Sequence, residues 1–326
     1  MKFGTAEING RDRSPPSTED RHFVQSLPGE IMIAGVFGGH GGLSTVVYTI
    51  NTFPTLLANM IKEVNGDTNM IQSRLKDLFI QHDKNLAKRG YIGYRDSGST
   101  ATIAIITQSS CIIAHLGDSP ACIIDPTNGS ILHRIHPHIP TDKKEYERII
   151  KCNGTVSNDY GDAPRVNGIL MVSRAFGDFS MKFNDPAVPE LNKNWITDFC
   201  VSAEPDVVII PRPQKGILAI FSDGLIDTET NISKPLEDVS KMILSAINSS
   251  DGNYENAAKE VLKIHVDNSS APYEGDDTTI VIIDISLPSL QGSLLNDRST
   301  TKKMKSKKRS TKKMTKRVEG LKTFTI

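Results

Sequence analysis

Residues 100–135 read TATIAIITQSSCIIAHLGDSPACIIDPTNGSILHRI. The apolar, β-branched runs at 100–107, 111–116, 121–125 and 130–135 are strand-sized. Two of the breaks between them, Gln108-Ser109-Ser110 and Pro126-Thr127-Asn128-Gly129, are hairpin-sized. A further apolar run at 31–37 ends in Gly-Gly, and strands are expected again at 207–210, 217–222 and 279–285. Helical spacing fills the intervals. Residues 43–62 are mostly apolar, with Pro54 as a break or kink. Residues 69–89 carry Ile71, Leu75, Leu78, Phe79, His82 and Leu86 on one face, with Gly90 as the C-cap. A short helix fits 142–151. Two more place Leu236, Val239, Ile243 and Ala246, then Ala257, Val261, Leu262 and Ile264, at helical intervals. Hairpins separated by helix pairs argue against an all-parallel sheet. They predict an α+β domain whose helices cover antiparallel sheets. On this face His82 reads as a core histidine.

The chain has 326 residues, 38% of them hydrophobic, enough for one large domain or two small ones. No apolar run approaches the ~18 residues that cross a membrane. Residues 1–7 lack the apolar core of a signal peptide, so an intracellular protein, cytoplasmic or nuclear, is expected. The four cysteines form no C-x-x-C pair and read as reduced thiols. Net charge is zero, but it is unevenly spread. Residues 291–326 hold twelve Lys or Arg and two acids, a net +10; the rest holds 26 against 36, a net −10. The expected organisation is therefore a folded domain at 1–290 and a disordered basic tail at 291–326. The tail contains Lys302, Lys303, Lys305, Lys307, Lys308 and Arg309. It reads either as a solubilising segment or as one that engages polyanions or the nuclear import machinery. No aromatic residue is interleaved among its lysines, so base stacking is not indicated.

Several acids lie at expected turns. Asp223 follows the apolar run 217–221, Asp276 and Asp277 precede the last strand, and Glu19-Asp20 precede Phe23-Val24. Taken singly, each is an ordinary turn residue. Converging at strand ends, they could supply the oxygen ligands that Mg²⁺ or Mn²⁺ prefers.

The order of motifs sharpens this reading. Along the chain stand TEDRHFV (18–24), GVFGGHGG (35–42), SGSTAT (97–102), AHLGDSPA (114–121) and RVNGILMVSRAFGD (165–178). AEPDV (203–207), FSDGLID (221–227) and GDDTTIV (275–281) follow. Over residues 18–286 this order resembles the metal-dependent protein phosphatase family, also called the protein phosphatase 2C family. The resemblance implies a four-layer α-β-β-α sandwich, two antiparallel sheets flanked by helix pairs. It implies hydrolysis of phosphoserine and phosphothreonine in proteins, with two Mg²⁺ or Mn²⁺ ions activating a water. Matched position by position, it implies metal-ligating roles for Asp223 and Asp276. Glu19 and Asp20 would bind metal or its waters, and the Gly39 carbonyl would face a metal. His40 would protonate the leaving alkoxide, and Asp227 would lie near an outer metal.

Four positions depart from the family pattern. D-G-H-G-G has become Gly38-Gly39-His40-Gly41-Gly42, removing the carboxylate that bridges both ions. Two divalent cations ~4 Å apart repel by roughly 17 kcal/mol at an effective dielectric of 20, so that carboxylate matters. Pro137 replaces an outer-metal Asp. Pro15 replaces a phosphate-binding Arg, with Arg13 nearby, and Pro120 replaces an Arg in G-D-S-R-A. The losses cluster at the metal centre while scaffold motifs persist. The expectation is a catalytically impaired phosphatase-like protein, a pseudophosphatase or phosphoprotein-binding module; the alternative is an active Mg/Mn-dependent protein serine/threonine phosphatase. Segment 179–198 carries the only tryptophan, Trp195. Exposed, it would mark a contact site; otherwise it packs on its own domain.

Overall fold

Strands that are apolar at every position need cover on both faces, and that requirement sets the architecture here. The computed structural model describes residues 1–10, 18–89, 96–158, 163–183, 193–195, 198–226, 235–268 and 275–288. In chain order, β1 (Phe3–Ile8), β2 (Arg21–Leu27), β3 (Ile31–Phe37) and the two-residue β4 (Gly39–His40) precede the helices α1 (Ser44–Glu63) and α2 (Thr68–Ala87). Then come β5 (Gly98–Ser99), β6 (Ala101–Ile106), β7 (Ser110–Leu116), β8 (Ala121–Ile124) and β9 (Ile131–Arg134). Next are α3 (Lys143–Lys151), β10 (Val156–Ser157), β11 (Arg165–Val166), β12 (Phe176–Gly177) and α4 (Phe179–Lys182). The last elements are β13 (Asp206–Pro211), β14 (Ile217–Phe221), α5 (Leu236–Ser249), α6 (Tyr254–Asp267) and β15 (Thr278–Asp284).

Two five-stranded sheets, ordered β1-β15-β14-β8-β9 and β13-β7-β6-β3-β2, carry the fold, and their ladders are antiparallel. Alternate residues of each inner strand serve different layers. Ala104 and Ile106 of β6 join Ile220 of β14 and Val281 of β15 between the sheets. Ile103 and Ile105 of β6 face the other way and pack with Phe53 and Leu57 of α1 and Leu75 and Phe79 of α2. On the opposite side, Ala219, Ile280 and Ile282 pack with Ile243 of α5 and Val261 of α6. Helices, sheet, sheet and helices thus form four layers, as expected.

The helices show how local chemistry yields to packing. α2 starts where the Asp67 side chain accepts the Met70 N–H at 2.9 Å. It ends at Ala87, before Gly90, which lies outside the described residues. α1 runs through Pro54 without a break. The proline removes one donor, and burial of Val46, Phe53, Leu57 and Met60 on the sheet holds the helix. His82 is fully buried beside the Tyr48, Phe53 and Phe176 rings, with Thr49 Oγ1 at 3.1 Å from its Nε2. Burial holds its pKa down at about 3. Trp195 is 2% exposed, its ring 5.8 Å from Phe183 and 5.4 Å from Phe199, so it packs on its own domain.

The chain divides into two units, Met1–Leu287 and Pro288–Ile326. The tail residues Lys302, Lys303, Lys305, Lys307, Lys308 and Arg309 lie outside the described residues, as do Arg13, Pro15 and Asp227. No helix of the described residues is long and apolar enough to cross a membrane.

Candidate functional site

Strands that leave the two sheets at the same end deliver acids to one cavity. β3 ends at Phe37, and Gly38 leads into β4, which carries Gly39 and His40. Asp223 opens the turn after β14, and Asp276 precedes β15. Asp20 precedes β2. These residues wall a cavity of about 220 Å³ together with Thr100, Asp118, Arg165 and the apolar run Leu170–Val172. A larger groove of about 790 Å³, lined by residues such as Leu27, Ile31, Ile61 and Lys62, has no acid and no histidine in its wall. The smaller cavity is the chemically equipped one.

Asp20 is 4% exposed, and its Oδ2 has no hydrogen-bond partner. Burial pushes its carboxyl up to about 7; the Ser222 and Thr279 hydroxyls work against this, and the charges of Asp277 and Asp276 add to it. A buried, partly unpartnered carboxylate among other acids is what a hard cation would satisfy. The donor set therefore fits a divalent ion, although Gly38 contributes no side-chain oxygen.

Adjacent acids take different tasks. Asp276 lines the cavity, whereas Asp277 is a buried clamp. Its Oδ1 accepts the Gly10 N–H and its Oδ2 the Glu19 N–H, both at 2.7 Å. Glu19 is not in the cavity wall; its Oε1 accepts the Gly42 N–H at 2.9 Å and so braces the glycine turn after His40. Gly39 is held to glycine by the same segment, since a Cβ there would lie 2.3 Å from the Glu19 carbonyl oxygen. Pro137 is exposed and does not line the cavity.

His40 Nε2 lies 2.9 Å and 3.0 Å from the two carboxylate oxygens of Asp178. Burial works to lower the His40 pKa, but the charge and hydrogen bond of Asp178 outweigh it, and the net direction is upward. Asp118 and Arg165 line the cavity and Asp178 pairs with His40; the sequence motifs contain all three, but the motif reading gave them no role at the site. Both acids follow glycines in the left-handed region, Gly117 at φ 97° and Gly177 at φ 75°. A Gly-Asp pair, which follows an apolar run in the case of Asp118, was the available signal for the two acids.

Among the described residues, one trio brings three His, Cys, Asp or Glu ligand atoms within 4.8 Å of one another: His115, His138 and Asp206. It lies outside the acid cavity. The Gly117 N–H donates to His138 Nδ1 at 3.1 Å, so Nε2 carries the ring proton and faces Asp206 Oδ2 at 3.5 Å. A metal at Nε2 would need that proton removed and the Gly117 bond retained, which a neutral imidazole does not allow. The trio reads as a structural strut: the His115 and His138 rings stack at 4.3 Å, and Asp206 is held well below the usual carboxylate range by His138 and Arg174.

A family model described as Protein phosphatase 2C matches residues 7–271. "Probable protein phosphatase 2C 71" of Arabidopsis thaliana is 32% identical over 236 residues, covering 69% of this chain and 47% of its own. "Protein phosphatase 1L" of Bos taurus is 26% identical over 205 residues, 61% of this chain and 52% of its own. The chain spans about half the length of these curated relatives. Among solved structures, a phosphatase from a pathogenic strain of Toxoplasma gondii superimposes with a TM-score of 0.69 at 22% identity, over 86% of this chain and 92% of that one.

Proposed function

The chain belongs to the protein phosphatase 2C family, and from that premise we propose that it is a phosphatase-like protein with an impaired metal centre, which binds phosphoserine and phosphothreonine proteins and turns them over slowly or not at all. One observation carries the reading. Gly38 lies in the wall of the acid cavity, where a Cβ would come 3.7 Å from Asp20 Oδ1, and it supplies no carboxylate there. Asp223 and Asp276, with the Gly39 carbonyl, would hold one Mg²⁺ or Mn²⁺; Asp20 would offer its unpartnered Oδ2. Such an ion, when bound, offsets the acid charges and polarises a phosphoryl oxygen. Arg165 in the cavity wall offers a guanidinium to the phosphate. His40, oriented by Asp178, stands ready to hand a proton to a leaving oxygen.

A second reading, an active Mg/Mn-dependent protein serine/threonine phosphatase, draws on Asp20. Its buried carboxylate could take over the missing bridge. Calorimetric Mn²⁺ titration beside aryl phosphate hydrolysis and phosphopeptide binding separates the two. Impairment predicts at most one tight ion, little turnover and retained phosphopeptide binding. Gly38→Asp should add a second ion and turnover. Gly38 is not in the left-handed region, so the substitution fits the backbone, but its Cβ would fall 2.9 Å from Thr100 Oγ1 and that hydroxyl must shift. Two tight ions and brisk turnover in the wild type would sink the impaired reading.

The basic tail supports a further part of this proposal. Its ten Lys or Arg between Lys302 and Arg317 would direct the protein to polyanions or to nuclear import. Truncation at residue 295 should abolish heparin retention or nuclear accumulation; if both persist, the tail has only a solubilising role.

A further inference from the structure

Lys182 and Asp83 form an ion pair at 2.6 Å with neither side chain exposed. Such a pair contributes little net stability, because desolvation offsets the attraction. Its surroundings show a more specific use. Asp83, on α2, accepts the Gly177 N–H at its Oδ1, 2.8 Å away. Lys182, at the end of α4, also donates to the Ala175 carbonyl at 2.9 Å. The pair therefore ties Ala175 and Gly177, before the turn that joins β12 to α4, to Lys182, after it. That turn is unusual: Gly177 has φ 75° and Asp178 has φ 50°, two left-handed residues in succession. A non-glycine residue there costs roughly 1–2 kcal/mol and persists only where its surroundings dictate it. The Asp178 N–H adds a third tie, donating to the Ser97 carbonyl at 3.0 Å. The result is that the Asp178 carboxylate points across the short β12-β5-β4 ribbon at His40.

We propose that the buried Asp83–Lys182 pair is a positioning device, which locks the Gly177-Asp178 turn so that Asp178 orients and holds the His40 ring. Neither residue touches the cavity; both act through Asp178. Lys182 also supplies the positive charge that lets two carboxylates, Asp83 and Asp178, sit close together in the interior. The inference rests on the reading of His40 as a participant in phosphate chemistry. The test reads His40 geometry rather than turnover, so failure of one is distinguishable from failure of the other.

The experiment uses the full chain labelled with ¹⁵N and long-range proton–nitrogen spectra of the imidazole rings, with His40 assigned by its loss in His40→Gln. Wild type should show a His40 Nε2–H signal displaced by its carboxylate partner. Lys182→Met should move that signal to the position of a free imidazole while His82 and His138 stay in place. Because Lys182→Met leaves a buried charge unpaired, the charge-free variant Asp83→Leu/Lys182→Met is measured beside it. That variant removes the ties across the turn and leaves no lone ion, and it should show the same loss. A folded variant that keeps the wild-type His40 signal overturns the proposal and leaves the pair a purely structural element. Hydrogen exchange in the wild type needs no variant: the Gly177 amide should be as protected as the amides of α2. Fast exchange at Gly177 beside a protected α2 overturns the proposal equally.

Discussion

His40 Nε2 and the Asp178 carboxylate meet at 2.9 Å directly over the Cα of Gly98, with no room for a side chain between them. A Cβ on Gly98 would lie 2.1 Å from that nitrogen and 2.2 Å from Asp178 Oδ2. The middle strand of the three-strand ribbon thus carries glycine at position 98 because the His40–Asp178 pair crosses above it.

Gly98→Ala should therefore break the pair. The methyl cannot be accommodated without displacing His40 or Asp178, and overpacking of this kind costs roughly 1–3 kcal/mol. Chemical denaturation should show that loss together with a shifted His40 ring signal. An unchanged midpoint and an unchanged ring signal would contradict the geometry.

Acid should unfold the protein in two windows. His82 has a folded pKa of about 3 and an unfolded value near 6.5, so the unfolded state binds the proton first. Its contribution is complete above pH 6.5 and is lost as pH falls towards 3. Glu145, held down at about 2 by Arg174 and Arg148 against the effect of burial, adds a second loss between about pH 4.5 and 2. Asp20, pushed up to about 7, acts in the opposite sense, so the histidine effect is best read by difference. His82→Gln should be less acid-sensitive than wild type between pH 6.5 and 4, by up to roughly 3 kcal/mol. Parallel denaturation curves at pH 7 and pH 4.5 check this; equal slopes for both proteins would count against it.

Mn²⁺ should stabilise the domain through the acid cavity. An ion bound to the folded state alone at 100 times its dissociation constant adds about 2.7 kcal/mol. The thermal midpoint should rise with Mn²⁺ and fall back with a chelator. Asp223→Asn should abolish the rise. A rise of the same size in Asp223→Asn would place the ion elsewhere.

Trp195 is the only tryptophan and should report burial directly. Its emission should be blue-shifted and poorly quenched by acrylamide in the folded chain. Trp195→Ala should cost about 3–5 kcal/mol, the range for removing a buried aromatic ring. Emission at the position of free indole would mean that the Phe183–Trp195–Phe199 cluster is not formed in solution.

Much of the fold was legible in the residue order. Run 217–221 is apolar at every position and run 101–106 at all but Thr102, so they had to be covered on both faces, and helix-spaced apolar residues between them supplied the cover. β1 and β2 were missed because edge strands half-exposed to water carry a weaker pattern: β2 has no fully buried residue. Local chemistry predicted a break or kink at Pro54, and packing keeps the helix continuous through it.

The candidate site divides the same way. Sequence alone placed acids at strand ends, marked Gly38 as a position without a carboxylate, and separated an acidic body from a basic tail. Side-chain direction was settled only in three dimensions. Asp276 faces the cavity while Asp277 clamps the N-terminal segment, and Asp20 lines the cavity while Glu19 braces a turn. His40 found Asp178, a residue 138 positions away. The physical reason is that a carboxylate's role depends on which way a turn aims it. That direction is set by contacts between segments hundreds of residues apart, such as Asp277 with Gly10, which no local pattern encodes.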